Sequence, residues 1–421
     1  MRNWLYSILR RSEQYTKTDM VYLFTGGSWL TLGQVLSTGS AFLVSIAFAN
    51  LLPQDTYGMY KYVLSIFGIL TIFTLSGINT AVTQAIARGF EGDVVKGLRT
   101  RILWGITGTI VSLGVALYYY LQGNIFLSTS FAIVGLFVPF VDSLSIYNSI
   151  LQGKKDFKTY TVYNSISRIV GAAATIVALF LTNNFLVLLL VFFGVSVVLN
   201  GLFTLITFAK VKFNEERGED TLKYGKHLSL VSVLNLLAAS LDKILIFQYI
   251  GAVELAVYTF ATAPLDQIKG FFKSVNLLAW PKFAAADLES RKFLFQKMKR
   301  LALLIIVISL IYVALAPFLY KLVFPDYLAA IPYSQILVLS LFAAILTEFS
   351  RSFMEAQGAK KEFYKYNVWV NAFNLVILFP LIYFYGLWGA VAARMITRLV
   401  GLGLSLLFVK SIKQAENQVP V

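Results

Sequence analysis

The stretch VYTFATAPLDQIKGFFKSVNLLAWPK at positions 257–282 decides how this chain is read. Within it Thr259, Thr262, Asp266, Lys269, Lys273 and Asn276 recur at the helical period, drawing a polar and net cationic stripe along an otherwise apolar helix. A charge near the centre of a bilayer costs about 2.5–3.5 kcal/mol even on the lenient insertion scale. The stripe is therefore expected to face protein or a water-filled cavity, and the chain to handle an anion inside a membrane.

Composition agrees with that reading. Of 421 residues, 58% are apolar and 14% charged, and the mean hydropathy of +0.72 is too high for a soluble fold of this length. Charge gathers in short clusters between long apolar runs. A membrane-spanning helix needs about 20 mainly apolar residues. Twelve runs qualify, at roughly 21–51, 60–88, 102–122, 125–151, 160–182, 185–209, 227–250, 257–282, 300–323, 331–355, 364–385 and 387–409. The expected fold class is an all-α polytopic membrane protein with both termini on one side.

The net charge of +15 is distributed as an orientation signal. With the N-terminus in the cytoplasm, the inside segments hold nearly all the lysine and arginine outside the spans, and the outside segments hold only Lys61 and Lys321. This accounts for the basic excess, satisfies no nucleic-acid-binding motif, and places both termini in the cytoplasm. Other bases fall within spans: Arg168, Lys243, Lys269, Lys273, Lys282, Arg351, Arg394 and Arg398. The opening segment MRNWLYSILRRSEQYTKTDM has no compact apolar run with a small-residue cleavage site and reads as a retained cytoplasmic segment. The absence of cysteine excludes disulfides and thiolate metal sites, and the single histidine, His227, falls at a span boundary. No metal ligand set, cofactor motif or Walker-type phosphate loop is legible.

An internal repeat organises the chain. Lys154-Lys155-Asp156-Phe157 has a counterpart in Lys360-Lys361-Glu362-Phe363, offset by 206 and lying between the fourth and fifth spans of each half. Six spans return the chain to its starting side, so the two halves share an orientation about an axis along the membrane normal. The lobes are expected at 1–212 (spans 1–6, with the cytoplasmic N-terminal segment) and 213–421 (spans 7–12), with the charged stretch 210–226 as linker. The same offset pairs Asp142 with Glu348, both inside spans, and Glu348 precedes Arg351 by three residues, the spacing of a local ion pair.

The arrangement resembles the polysaccharide (Wzx-type, O-antigen repeat-unit) flippases of the multidrug/oligosaccharidyl-lipid/polysaccharide exporter superfamily. The segments that carry the resemblance are Ala49-Asn50-Leu51, Tyr57-Gly58-Met59-Tyr60, Leu75-Ser76-Gly77-Ile78-Asn79 and Arg88 in the first half. In the second they are Asp242, Gly251, Val257-Tyr258, Ala261 and Leu322-Val323-Phe324-Pro325-Asp326-Tyr327, where Pro325 stands in place of the glycine usual in such proteins. The resemblance implies two six-helix lobes around a central cavity open to one side at a time. It also implies a polyprenyl-pyrophosphate-linked oligosaccharide as cargo, moved across the bacterial inner membrane.

Residue chemistry suits that cargo independently. Lysine and arginine match an anionic pyrophosphate, and hydroxyls and amides match sugars. Candidate substrate contacts are Lys269, Lys273, Thr262 and Asn276 on the eighth span and Arg394 and Arg398, four residues apart, on the twelfth. Asp142, Asp266, Glu348 and Arg351 are read as either coupling charges or structural ones. The partners expected are the lipid-linked oligosaccharide, membrane lipids and glycan-assembly proteins. The rival reading is a multidrug cation antiporter of the same superfamily, against which stands the absence of a carboxylate from the first span and the excess of bases within the spans. A polytopic glycosyltransferase or polymerase would need a large extracytoplasmic loop, and none is visible.

Overall fold

The computed structural model describes residues 20–218, 220–284 and 290–412, with side chains described from residue 26 onward except at 271, 273–284 and 290–297. The opening segment 1–19 thus lies outside the described residues. All regular structure described is helical, as lipid requires of a chain that cannot hydrogen-bond its backbone to water. The first half comprises α1 (Met20–Leu51), α2 (Gln54–Leu70), α3 (Gly77–Ala87), α4 (Val94–Leu121), α5 (Ile125–Val141), α6 (Tyr147–Gly153), α7 (Phe157–Leu181) and α8 (Phe185–Lys210). The second comprises α9 (Thr221–Tyr249), α10 (Ala252–Ala284), α11 (Ser290–Val323), α12 (Ile331–Leu339), α13 (Leu341–Ala356) and α14 (Lys360–Ser411).

Each of the twelve apolar runs finds a helix or part of one. Among the described residues nine helices are long and apolar enough to cross a membrane, or ten if α12 and α13, bent by 45° at Ser340, form one span. The 52-residue α14 exceeds any bilayer and is broken at Gly386 (φ 58°, ψ −135°), between the expected eleventh and twelfth spans. Glycine is needed there because the left-handed backbone penalises any Cβ. The second and fourth runs are broken too. The 3-10 turn Thr71–Thr74 separates α2 from α3, and the turn Ser143–Ile146 follows Pro139 and Asp142 and separates α5 from α6. Large side chains such as Leu181, 80% exposed, lie on the outer surface, where lipid is the solvent.

The described residues fall into two compact units: Val35–Thr259 with Val323–Asp326, and the described residues of Met1–Gln34, Phe260–Leu322 and Tyr327–Val421. In the first unit α4 and α5 pack as a close pair in which glycine meets backbone. A Cβ on Gly105 would stand 2.7 Å from the Cα of Pro139, and the hydroxyls of Thr109 and Ser112 donate to the carbonyls of Gly135 and Phe131 at 2.7 Å each. Close approach of small residues is how helices associate where lipid offers no hydrophobic drive.

The seventh span, α9, packs in this unit against α2 and α3. A Cβ on Gly77 would come within 2.4 Å of the Ser229 nitrogen, and the Gly77 N–H donates to Ser229 Oγ at 3.0 Å. Near the end of α9, Gln248 donates to the hydroxyls of Tyr62 and Tyr119, both at 2.7 Å. The compact unit therefore runs on to Thr259, past the expected lobe boundary at 212/213. The stretch between α8 and α9 is docked on the loop after α3: Gly92 N–H donates to Glu216 O (2.9 Å), Glu91 N–H to Asn214 Oδ1 (3.1 Å), and Gly218 N–H to Asp93 Oδ2 (3.1 Å). Several segments behind the family resemblance do local structural work here. Asn50 donates to the Val323 carbonyl at 3.0 Å, and Gly58 admits the Ala252 carbonyl to where its Cβ would be.

The second unit contains an apolar core of Met298, Leu346, Phe353, Met354, Tyr366 and Val409, with α13 packed along α14. The turn between them matches the turn between α6 and α7 in a register that differs from the sequence match. Asp156 N–H donates to Leu151 O at 2.8 Å after Lys155 at φ 62°, and Ala359 N–H donates to Met354 O at 2.9 Å after Gly358 at φ 66°. Asp156 thus corresponds to Ala359, a separation of 203 rather than 206. Burial follows the same register, with Tyr147, Ser149, Ile150 and Leu151 matching Ser350, Ser352, Phe353 and Met354. Local geometry then aligns Asp142 with Ile345 and Glu348 with Ser145, and separates the two carboxylates that the 206 offset pairs. The physical reason is that Gly358 takes the left-handed position itself, so the second Lys-Lys pair falls in the first turn of α14 instead of in the bend.

Candidate functional site

Three helical segments of the second unit bring charge together. On α10, Asp266 and Lys269 are three residues apart and share a face. On α13, Glu348 and Arg351 do the same. On the second arm of α14, Arg394 and Arg398 are one turn apart. A cavity of about 280 Å³ is lined by Asp266, Lys269, Gly270 and Phe272 from α10 and by Ile345, Glu348 and Phe349 from α13. Its walls are thus apolar rings and aliphatics with a cation and two carboxylates set among them, the make-up of a site for a charged group in an apolar frame.

Ion pairs tie this site together loosely. Arg394 Nη2 lies 3.5 Å from Asp266 Oδ1, with 27% and 54% of the two side chains exposed. Arg351 Nη1 donates to Glu348 Oε2 at 3.2 Å, both about one-third exposed, and the Arg351 guanidinium stands over the rings of Phe363 and Tyr366 at 5.4 and 6.0 Å from their centres. Exposed pairs of this kind contribute about 0–1 kcal/mol each. Lys269 is attracted by Glu348 and Asp266 and repelled by Arg398 and Arg394.

Arg398 has a further attachment. Its Nη1 donates to the Leu337 carbonyl at 3.3 Å and to Ser340 Oγ at 2.9 Å, at the bend between α12 and α13. The Leu337 carbonyl also accepts from the Ser340 N–H (3.1 Å) and hydroxyl (2.7 Å), and the guanidinium adds favourable charge at this C-terminal end of α12. Thr262 is buried, and the cavity walls begin one turn further on at Asp266. The side chains of Lys273 and Asn276 lie outside the described residues.

Asp142, grouped by its sequence context with the other intramembrane acids, belongs to a separate network in the first unit. Arg101, fully buried, donates from Nη2 to Asp142 Oδ2 at 2.5 Å, from Nη1 to Asn79 Oδ1 at 2.6 Å and Ser143 O at 3.3 Å, and from Nε to Thr74 O at 3.1 Å. Thr74 Oγ1 donates to the same Asp142 oxygen at 2.8 Å. The network joins the breaks of the second and fourth spans, whose freed carbonyls it satisfies. Sequence reasoning misses Arg101 because it stands one residue before an apolar run and falls among the cytoplasmic bases. The available signal was Asp142 itself, an intramembrane acid that required a basic partner.

Residues 23–287 match the model of the family described as polysaccharide biosynthesis protein. An uncharacterized membrane protein of Methanocaldococcus jannaschii is 24% identical over 406 residues, with 87% of this chain and 79% of that protein covered. The inward-facing structure of a multidrug resistance MATE family transporter of the MOP superfamily aligns with a TM-score of 0.65 at 15% identity, over 91% of this chain and 96% of the other. A MOP superfamily transporter from Pyrococcus furiosus, whose binding pocket of reverse polarity suggests a different function for that protein, aligns with a TM-score of 0.61 at 16% identity, over 91% and 94%. At these identities the structural likeness is one of fold, the all-helical polytopic fold of MOP transporters.

Proposed function

Because the chain belongs to the polysaccharide biosynthesis protein family and shares the fold of MOP superfamily transporters, we propose that it flips a polyprenyl-pyrophosphate-linked oligosaccharide repeat unit across the bacterial inner membrane by alternating access. The observation that carries the cargo assignment is the cavity lined by Lys269, with Arg394 and Arg398 close enough to repel that lysine and Arg351 paired to the cavity-wall Glu348. A pyrophosphate is drawn to these cations, the polyprenyl tail stays in lipid, and hydroxyl and aromatic groups contact the sugars. Glycan-assembly proteins supply the cargo at the cytoplasmic face, where both termini lie.

The test is flipping of a fluorescent lipid-linked oligosaccharide in proteoliposomes. Loss of one charge-assisted phosphate contact is worth about 1.5–3 kcal/mol, so Lys269→Ala should slow flipping by roughly 10–100-fold at unchanged membrane abundance. A parallel fall in abundance and flipping would assign Lys269 to folding instead.

The second reading, export of lipophilic cations, is favoured by Asp266 and Glu348 at the cavity wall and by the fold shared with a multidrug transporter. Ion-driven efflux of ethidium by the wild-type chain, with no flipping of the lipid-linked sugar, would establish it.

A further inference from the structure

We propose that Asp266 and Glu348 are resident counterions for Arg394 and Arg351, and that cargo phosphates bind by displacing these carboxylates rather than by entering a cationic site held vacant for them. This rests on the reading of the cargo as a lipid-linked pyrophosphate.

Both carboxylates line the same cavity, on α10 and α13, and stand 3.5 and 3.2 Å from their arginines. Neither pair is locked in place by burial. All four side chains are between 27% and 54% exposed, and Arg351 Nε is buried without a hydrogen-bond partner. The Arg101–Asp142 pair, at 2.5 Å with the guanidinium fully buried, is what a permanent ion pair looks like in this chain.

A phosphate oxygen can replace a carboxylate oxygen on a guanidinium without changing the hydrogen-bond geometry, because the guanidinium fork matches both anions. Lys269 feels both carboxylates, so two adjacent phosphates entering here would meet three cations whose partners are both exchangeable. The exchange also limits affinity. A transporter that holds its cargo equally tightly in every state does not release it, and returning carboxylates compete the phosphate off. The two acids therefore tune retention against release.

The experiment titrates the full-length chain in lipid nanodiscs with inorganic pyrophosphate, and with orthophosphate for comparison. It uses the wild type, Glu348→Gln and Asp266→Asn, alongside the charge-retaining Glu348→Asp and Asp266→Glu. Removing one competing negative charge at this range is expected to tighten pyrophosphate binding by roughly 5–10-fold, with a steeper loss on adding salt and with slower flipping. The charge-retaining variants should bind like wild type. Unchanged or weaker binding by Glu348→Gln and Asp266→Asn, in protein that melts like wild type, overturns the exchange while leaving the cargo reading standing. Absence of pyrophosphate binding from the wild type and all variants overturns the cargo reading and the exchange together.

Discussion

Arg101 and Arg394 are both arginines set against an aspartate inside the membrane region, and their surroundings make them different objects. Arg101 is wholly buried and spends its donors on Asp142 and the carbonyls of Thr74 and Ser143, in the breaks of two spans, and on Asn79 in the first turn of α3. Arg394 meets Asp266 at 3.5 Å beside a cavity, with half of the aspartate exposed. The same pair of residue types holds a fold together in one unit and offers exchangeable charge in the other. Burial and the closeness of the pair, more than residue identity, separate the two roles.

The comparison breaks most readily at Arg101. Arg101→Ala leaves Asp142 beside orphaned carbonyls, and we expect a loss of about 3–5 kcal/mol, read as a collapse of thermal stability in detergent and of membrane abundance. Normal stability of that variant would remove the distinction between the two arginines. Next in size is Arg394→Ala, expected to lower flipping by roughly 10-fold or more while stability changes by no more than about 1 kcal/mol. Arg394→Lys should fall between alanine and wild type, because it keeps charge without the fork. The smallest effect is expected for the Glu348–Arg351 pair, where a double-mutant cycle on thermal stability should yield a coupling of about 0–1 kcal/mol. A coupling of several kcal/mol would make that pair structural and unavailable to cargo.

Much of the candidate site was legible on single helices. The spacing of Asp266 and Lys269, of Glu348 and Arg351, and of Arg394 and Arg398 places each pair on one face of its helix, and polar faces in lipid must find one another or water. Which pairs meet was not legible. The spacing of Arg394 and Arg398 offers no hint that Arg398 reaches the bend at Ser340, because that bend exists only once α12 and α13 are formed. The repeat was visible through Lys154-Lys155-Asp156-Phe157 and its counterpart, but its register was not. A three-residue shift is close to one helical turn, and the backbone at Lys155 and Gly358 together with the burial pattern distinguishes the two alignments.

By itself the sequence determined that this chain is a bundle of membrane helices, where its apolar runs begin and end, and that its charged residues lie on particular helical faces. Those properties follow from local periodicity and from the need of every backbone group in lipid to be satisfied within its own helix. The tertiary structure alone decided which distant residues meet: Arg101 with Asp142 across 41 residues, Arg394 with Asp266 across 128, and the seventh span with α3 through Gly77 and Ser229 across 152. Such contacts depend on how helices distant in sequence pack, and the long-range fit of glycines, bends and buried donors that sets the packing is not a property of any one segment.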